Sequence, residues 1–200
     1  MTRKLLVGLG NPGPQYQGSR HNVGFRFIDR LAADQRVTLT EERAFKVAIT
    51  EWRPTTELEI LLVKPLCFMN NSGESVGKIA RYYKIGVDDI TVVHDDLDMI
   101  AGKLRIKKGG GTGGHNGIKS LNLHIGNGYT RVKVGIGRPT NRADTTNWVL
   151  SPLTTSAAHD ETILFDCLLP QITAIVTGQL ATATNSIQLK LRETLLGGSN

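Results

Sequence analysis

Several stretches place proton-handling or amide-binding side chains beside glycines or at the ends of apolar runs. They are Asn11 in GLGNPG, His21 and Asn22 in RHNVG, and Asn70 and Asn71 in FMNNSG. Asp95 and Asp96 follow in VVHDDLD, and His115 and Asn116 in GGGTGGHNG. Singly, each has a plain explanation. Asparagine favours turns, aspartate favours helix caps, and a lone histidine near a helix start is more often structural than catalytic. Together they supply a base (His21), a carboxylate to orient it (Asp95) and three carboxamides (Asn11, Asn70, Asn116) suited to amide or ester groups. A histidine near its unperturbed pKa accepts a proton from water, and a carboxylate on its other ring nitrogen fixes the tautomer. The five glycines in the six residues 109–114 let the backbone approach a ligand closely.

These residues need elements to hold them. Residues 4–9 read as a buried strand, followed by a helix with Val23, Phe27, Ile28 and Leu31 at helical spacing and an end near Asp34. Strands are expected at 45–51 and 59–63, the second stopped by Pro65. A helix marked by Val76, Ile79, Ala80 and Tyr83 ends at Gly86. Residues 90–93 form a short buried strand, then come strand 103–107, the glycine loop and a short helix from about Asn116. Residues 129–136 are the last clear strand. The chain then reads as helical from Ser156 to about Val176 despite Pro170, and again through Leu180, Ile187, Leu189 and Leu191. Alternating strands and helices predict an α/β fold: one domain over residues 1–194, with a helical C-terminal tail and a frayed end at 195–200.

GLGNPG also fits the G-x-G-x-x-G pattern through Gly8, Gly10 and Gly13. A dinucleotide loop needs backbone N–H donors and an acidic residue closing the second strand about 20 residues later. Pro12 and Pro14 remove two donors, and Asp29 lies inside a helical pattern. The loop instead presents Asn11.

Composition narrows the classes. With 200 residues, 40% of them hydrophobic, the chain can bury a substantial core, and no apolar run approaches the ~20 residues of a membrane span. The first residues read as a strand rather than a signal peptide. Cys67 and Cys167 sit in apolar sequence, so no disulfide framework is expected and a reducing cytoplasm is the natural compartment. The net charge of +6 is uneven. Nine basic residues and no acidic one lie between Lys103 and Arg142. Lys103, Arg105 and Lys107 alternate with Leu104 and Ile106, and Arg131 and Lys133 with Val132 and Val134, so each set faces one way in a strand. Two basic-faced strands are a nucleic-acid footprint. The plainer reading is a pair of solvated faces, but those usually mix signs.

Two rival chemistries use the same stretches. GESVG at 73–77 matches the G-x-S-x-G elbow, with Ser75, Asp95 and His115 in hydrolase order. An elbow serine sits at a strand-to-helix turn, however, whereas Ser75 falls in the first turn of a helix that Asn71 or Ser72 would cap. His94, Asp95, Asp96 and Asp98 offer metal ligands, but successive strand residues point to opposite faces.

The quoted stretches also resemble a family. GLGNPGPQY with RHNVG, KPLCFMNNSG, DDLD, GKLRIKKGGGTGGHNGIKS and RVKVGIGRP are similar to bacterial peptidyl-tRNA hydrolase, in order, over residues 4 to about 150. The resemblance implies a single α/β domain with a twisted mixed sheet flanked by helices. It implies cleavage of the ester between a peptide and the 3′-terminal ribose of tRNA, which recycles tRNA from stalled translation. It places the catalytic histidine on His21 and its partner on Asp95; on the chemistry of ester hydrolysis, the Asn116 amide or a backbone N–H would stabilise the developing oxyanion. Substrate contacts fall on Asn11, Tyr16, Phe68, Met69, Asn70, His115 and Asn116, and tRNA contacts on Arg105, Lys107 and Lys133. No metal and no cofactor are implied, and the partner is the acceptor stem and 3′ end of tRNA, met by a cytoplasmic monomer. Thr112 and Cys67 depart from the usual pattern, and neither is part of the catalytic pair. Some chloroplast relatives are RNA-binding splicing factors instead; intact His21, Asp95 and asparagines favour the enzyme.

Overall fold

The computed structural model describes residues 1–197. Seven strands form one sheet: β1 (Thr2–Gly8), β2 (Thr40–Glu42), β3 (Val47–Thr55), β4 (Leu58–Pro65), β5 (Ile90–Asp96), β6 (Leu104–Lys108) and β7 (Thr130–Gly135). The helices are α1 (Val23–Asp34), α2 (Ser72–Tyr82), α3 (Asn116–Ile125), α4 (Thr145–Leu150), α5 (Thr155–Leu168), α6 (Ile172–Val176) and α7 (Leu180–Gly197). The strand order is β2-β3-β4-β1-β5-β7-β6. The central four strands, β4, β1, β5 and β7, are parallel to one another, and β2, β3 and β6 pair antiparallel at the edges.

The central strands are apolar on both faces because both are covered. Leu5, Val7, Leu61, Val63 and Val92 pack with Val76, Ile79, Ile118 and Leu121 of α2 and α3. Leu6, Ile60, Leu62, Val93, Val132 and Val134 pack with Phe27, Ile28 and Leu31 of α1 and with α5–α7. Each such side chain contributes about 1.5–3 kcal/mol by leaving water. Gly8 and Gly24 let α1 lie backbone-on-backbone against β1, since a Cβ at either would strike main-chain atoms. A Cβ at Gly10 would meet the Phe25 ring. Gly8 and Gly10 of GLGNPG thus seat a helix, which brings the turn at residues 20–22 over the ends of β1 and β5.

Several expected boundaries move. The strand expected at 45–51 is β3, Val47–Thr55, and it pairs with an additional strand, β2, whose residues are all exposed and carry no apolar signal. β5 continues through Asp96, and α4 was not anticipated. The helix after Pro65 begins at Ser72, but neither Asn71 nor Ser72 caps it. The Ser72 hydroxyl donates to the Met69 carbonyl, and Ser120 Oγ on α3 accepts from the Gly73 N–H at 3.0 Å. The stretch expected as one helix from Ser156 is α5 and α6 separated by a short turn at Leu169–Gln171 containing Pro170. In α7, Ile187 is buried but Leu189 faces solvent. The tail expected to fray from 195 is helical through Gly197, and 198–200 lie outside the described residues.

Candidate active site

The parallel strands β1, β4 and β5 end on the same rim, where α/β sheets build sites. A cleft of about 380 Å³ opens there. Asn11, His21, Asn70, Asp95, His115 and Asn116 all line it. These six come from five separate stretches of sequence, and the fold brings them together.

His21 sits in the one-turn helix Arg20–Asn22 just before α1. Its Nδ1 lies 2.9 Å from both carboxylate oxygens of Asp95, at the end of β5. The donated Nδ1 proton leaves Nε2 as the basic nitrogen. Burial alone would raise the Asp95 pKa, but the facing His21 and His115 rings and their hydrogen bonds hold it well below the usual carboxylate range. The carboxylate therefore stays an acceptor. The chain before His21 is fixed by Arg20, whose guanidinium lies 4.0 Å from the Trp148 ring centroid and donates to Ser151 Oγ and the Pro152 carbonyl.

His115 is more than a lining residue. Its Nδ1 accepts from the Gly117 and Ile118 N–H groups, which caps α3. Its proton is therefore on Nε2, which donates to Asp95 Oδ1 at 2.9 Å. One carboxylate thus holds two imidazoles, with ring centroids 4.8 Å apart.

The carboxamides divide by burial. Asn11 is buried: its N–H donates to Asn22 Oδ1, its carbonyl accepts from Asn22 Nδ2, and its Oδ1 accepts from the Met69 N–H at 2.8 Å. It ties the first loop to the FMNN turn and keeps its Nδ2 for the cleft. Asn70 and Asn116 are exposed on the cleft wall. Phe68 is 57% exposed and lines the cleft, while Met69 lines it from a buried position. Tyr16 does not line the cleft; its ring meets Phe68 edge-on at 6.5 Å and supports it.

The comparisons with known proteins follow the same residues. The peptidyl-tRNA hydrolase family model matches residues 5–194. The chain belongs to that family. It is 42% identical over 188 residues to a peptidyl-tRNA hydrolase of Chelativorans sp. (strain BNC1), covering 94% of this chain and 78% of that one. It is also similar to the solved peptidyl-tRNA hydrolase of Acinetobacter baumannii, at 35% identity and TM-score 0.87, over 92% of this chain and 93% of that one. A single-residue variant of the A. baumannii protein matches with TM-score 0.88.

The serine alternative fails in this family member. Ser75 is buried in α2 with its Oγ 3.5 Å from Cys67 Sγ, and both nitrogens of His115 are engaged elsewhere. Both cysteines are free. Of the metal candidates, His94 is directed to its neighbour's main chain. Asp96 and Asp98 are engaged by Lys133 and Arg138. His21, Asp95 and His115 could each offer one ligand atom to an ion. An ion on His115 Nε2 would need an imidazolate, because Nδ1 already accepts two N–H groups, so this donor set fits a hydrogen-bonded array better than a metal.

The basic strands need correction. The register sets Arg105 opposite Lys133 and Lys107 opposite Arg131, so all four share one face. Arg131, however, is buried; it donates to the Gly110 and Gly111 carbonyls at 2.8 and 2.6 Å and pins the glycine loop. Lys133, Lys108 and Arg138 are paired with Asp96, Asp88 and Asp98. The acids missing from residues 103–142 are thus supplied by neighbouring segments. Arg105 is exposed and Lys107 half-buried, and neither forms an ion pair among the described residues. Sequence reasoning missed Arg131's inward role, Arg20's anchor and the α4 wall of Thr145, Thr146, Val149 and Leu150. None of these carries a local signal: Arg131 stands between Thr130 and Val132 like any strand residue, and the glycine loop it pins lies twenty residues earlier.

Proposed function

We propose that this family member, a hydrolase of peptidyl-tRNA, cleaves the ester to the 3′-terminal ribose with His21 as general base and no metal ion. The observation that carries the reading is the buried Nδ1–carboxylate contact of His21 at 2.9 Å, which directs the basic Nε2 to a cleft lined with carboxamides. Nε2 takes a proton from water as its oxygen bonds to the ester carbonyl carbon. The negative charge on the former carbonyl oxygen is met by the Asn116 amide or a backbone N–H. The carbon–oxygen ester bond then breaks, and the imidazolium returns its proton to the departing ribose oxygen. Asp95 stabilises the imidazolium between the two steps.

Asn70 and the free Nδ2 of Asn11 hold the peptide main chain, so substrates are selected by their amide groups rather than their side chains. Phe68, supported by Tyr16, gives the peptide an apolar surface. Arg105, Lys107 and Lys133 take tRNA phosphates near the acceptor stem, and the protein acts as a cytoplasmic monomer. The deciding experiment measures release of N-acyl-amino acid from N-acyl-aminoacyl-tRNA with chelator present. Wild type should turn over and His21→Ala should not. Turnover by His21→Ala, or loss of wild-type activity in chelator, would overturn the mechanism.

A further inference from the structure

Among the described residues, three buried side-chain polar atoms have no hydrogen-bond partner: Ser19 Oγ, His94 Nε2 and Arg131 Nε. A buried polar atom left unpaired is destabilising, because it gives up its bond to water and gains none. Two of the three belong together. In the β5–β7 register Val92 faces Arg131 and His94 faces Lys133, so His94 and Arg131 are diagonal neighbours on one face. Both line the inner end of the cleft. They are also complementary. His94 Nδ1 donates to the Asp95 carbonyl at 2.7 Å, so Nε2 is an acceptor, while Arg131 Nε carries a proton. A single water between them would satisfy both by donating to Nε2 and accepting from Nε–H.

We propose that His94 is a positioning residue for the hydrolysis, holding the Asp95 main chain through Nδ1 and the Arg131 side chain through Nε2 and one bridging water. This rests on the reading of His21 and Asp95 given above. The Nδ1 bond fixes the peptide plane at the end of β5, where the chain leaves the sheet. Through Arg131 the same ring reaches the Gly110 and Gly111 carbonyls, in the loop that carries His115 and Asn116. Its ring also meets His115 edge-on, with centroids 5.1 Å apart. His94 therefore joins the strand end bearing Asp95 to the loop bearing its second donor. Burial, with the neighbouring His115 ring and the Arg131 guanidinium adding to it, lowers the His94 pKa to about 3, so the ring adds no cation beside the base.

The test uses His94→Phe, which keeps the ring and removes both bonds, and His94→Asn, which restores a donor near the Nδ1 position. A displaced Asp95 should lower kcat about tenfold to a hundredfold in His94→Phe, with KM for N-acyl-aminoacyl-tRNA held within about twofold. His94→Asn should recover part of the loss. A folded His94→Phe with wild-type kcat would remove His94 from the reaction, as would a fall that merely tracks the folded fraction. If His94→Phe does not fold, His94→Gln takes its place, its amide near the Nε2 position and out of reach of the Asp95 carbonyl, under the same expectation and the same overturning result. His21→Ala is measured beside them: if it stays active the mechanism fails, and if it is dead while His94→Phe is normal only this inference fails.

Discussion

His115 donates from Nε2 to Asp95 Oδ1 at 2.9 Å while its Nδ1 caps the first turn of α3. The helix start thus sets the tautomer of the ring, which supplies a second donor to the carboxylate. His115→Ala removes both contacts. Loss of the cap should cost about 1 kcal/mol, which for a chain of this length lowers Tm by about 2–4 °C. Turnover should fall less than in His21→Ala, because the base remains. Thermal unfolding and kcat on one preparation check both parts.

Asp95→Asn replaces an acceptor facing two N–H donors with a group that can present an amide to one of them. His21 then loses its fixed tautomer and the partner of its imidazolium. We expect kcat to fall by about two to four orders of magnitude with the fold retained. Steady-state kinetics and circular dichroism decide this; a drop under threefold would contradict the orienting role.

The asparagines should separate by phenotype. Asn11 Oδ1 accepts from the buried Met69 N–H, so Asn11→Ala strands a donor and should lose about 1–3 kcal/mol in urea unfolding. Asn70 is exposed, and Asn70→Ala should leave stability nearly unchanged while slowing cleavage of N-acylated substrate and narrowing its preference over free aminoacyl-tRNA. Equal stability losses in the two variants would refute this division.

Gripping should separate from cutting. Arg105→Ala and Lys107→Ala should raise KM for tRNA substrates, leave a minimal ester lacking the tRNA body unaffected, and each reduce the log–log salt slope by about one unit or less. Lys133→Ala should have a smaller effect, since Lys133 is already paired with Asp96. Binding measured across several salt concentrations tests this, and an unchanged slope in the Arg105 and Lys107 variants would remove the face from the tRNA site.

Acid stability carries a signature of His94. Its pKa is lowered from 6.5 in an unfolded chain to about 3 in the fold, chiefly by burial. Between those values the unfolded state binds the extra proton, so stability is lost as pH falls through that window, by at most about 1.4 kcal/mol per pH unit from this group. Asp95 acts lower still. Its depressed pKa contributes stability present above the ordinary carboxylate range and lost only as pH falls beneath it. His94→Phe should therefore flatten the stability profile between pH 6.5 and about 3 in chemical denaturation. A slope equal to wild type would show that the histidine is not buried as described.

The core strands, the helices with strong apolar spacing and the identity of the polar clusters are legible along the chain. Those signals are local: a run of β-branched residues at 90–93, a 3.6-residue spacing from Val23 to Leu31, and a histidine or asparagine beside glycine. The sequence also carried the rejection of a dinucleotide loop, because Pro12 and Pro14 remove donors wherever the chain goes. The roles of Gly8, Gly24, Arg131 and His115 emerge from contacts between distant segments. Gly8 and Gly24 serve a helix–strand contact, and Arg131 turns inward because the carbonyls of a loop twenty residues away need donors. His115 gains its meaning from Asp95, twenty residues earlier. Charge pairing was equally hidden, since Lys133 meets Asp96 across a parallel strand pair and not along the chain. Local periodicity reports which way a side chain points, whereas its hydrogen-bond partners depend on strand order and register.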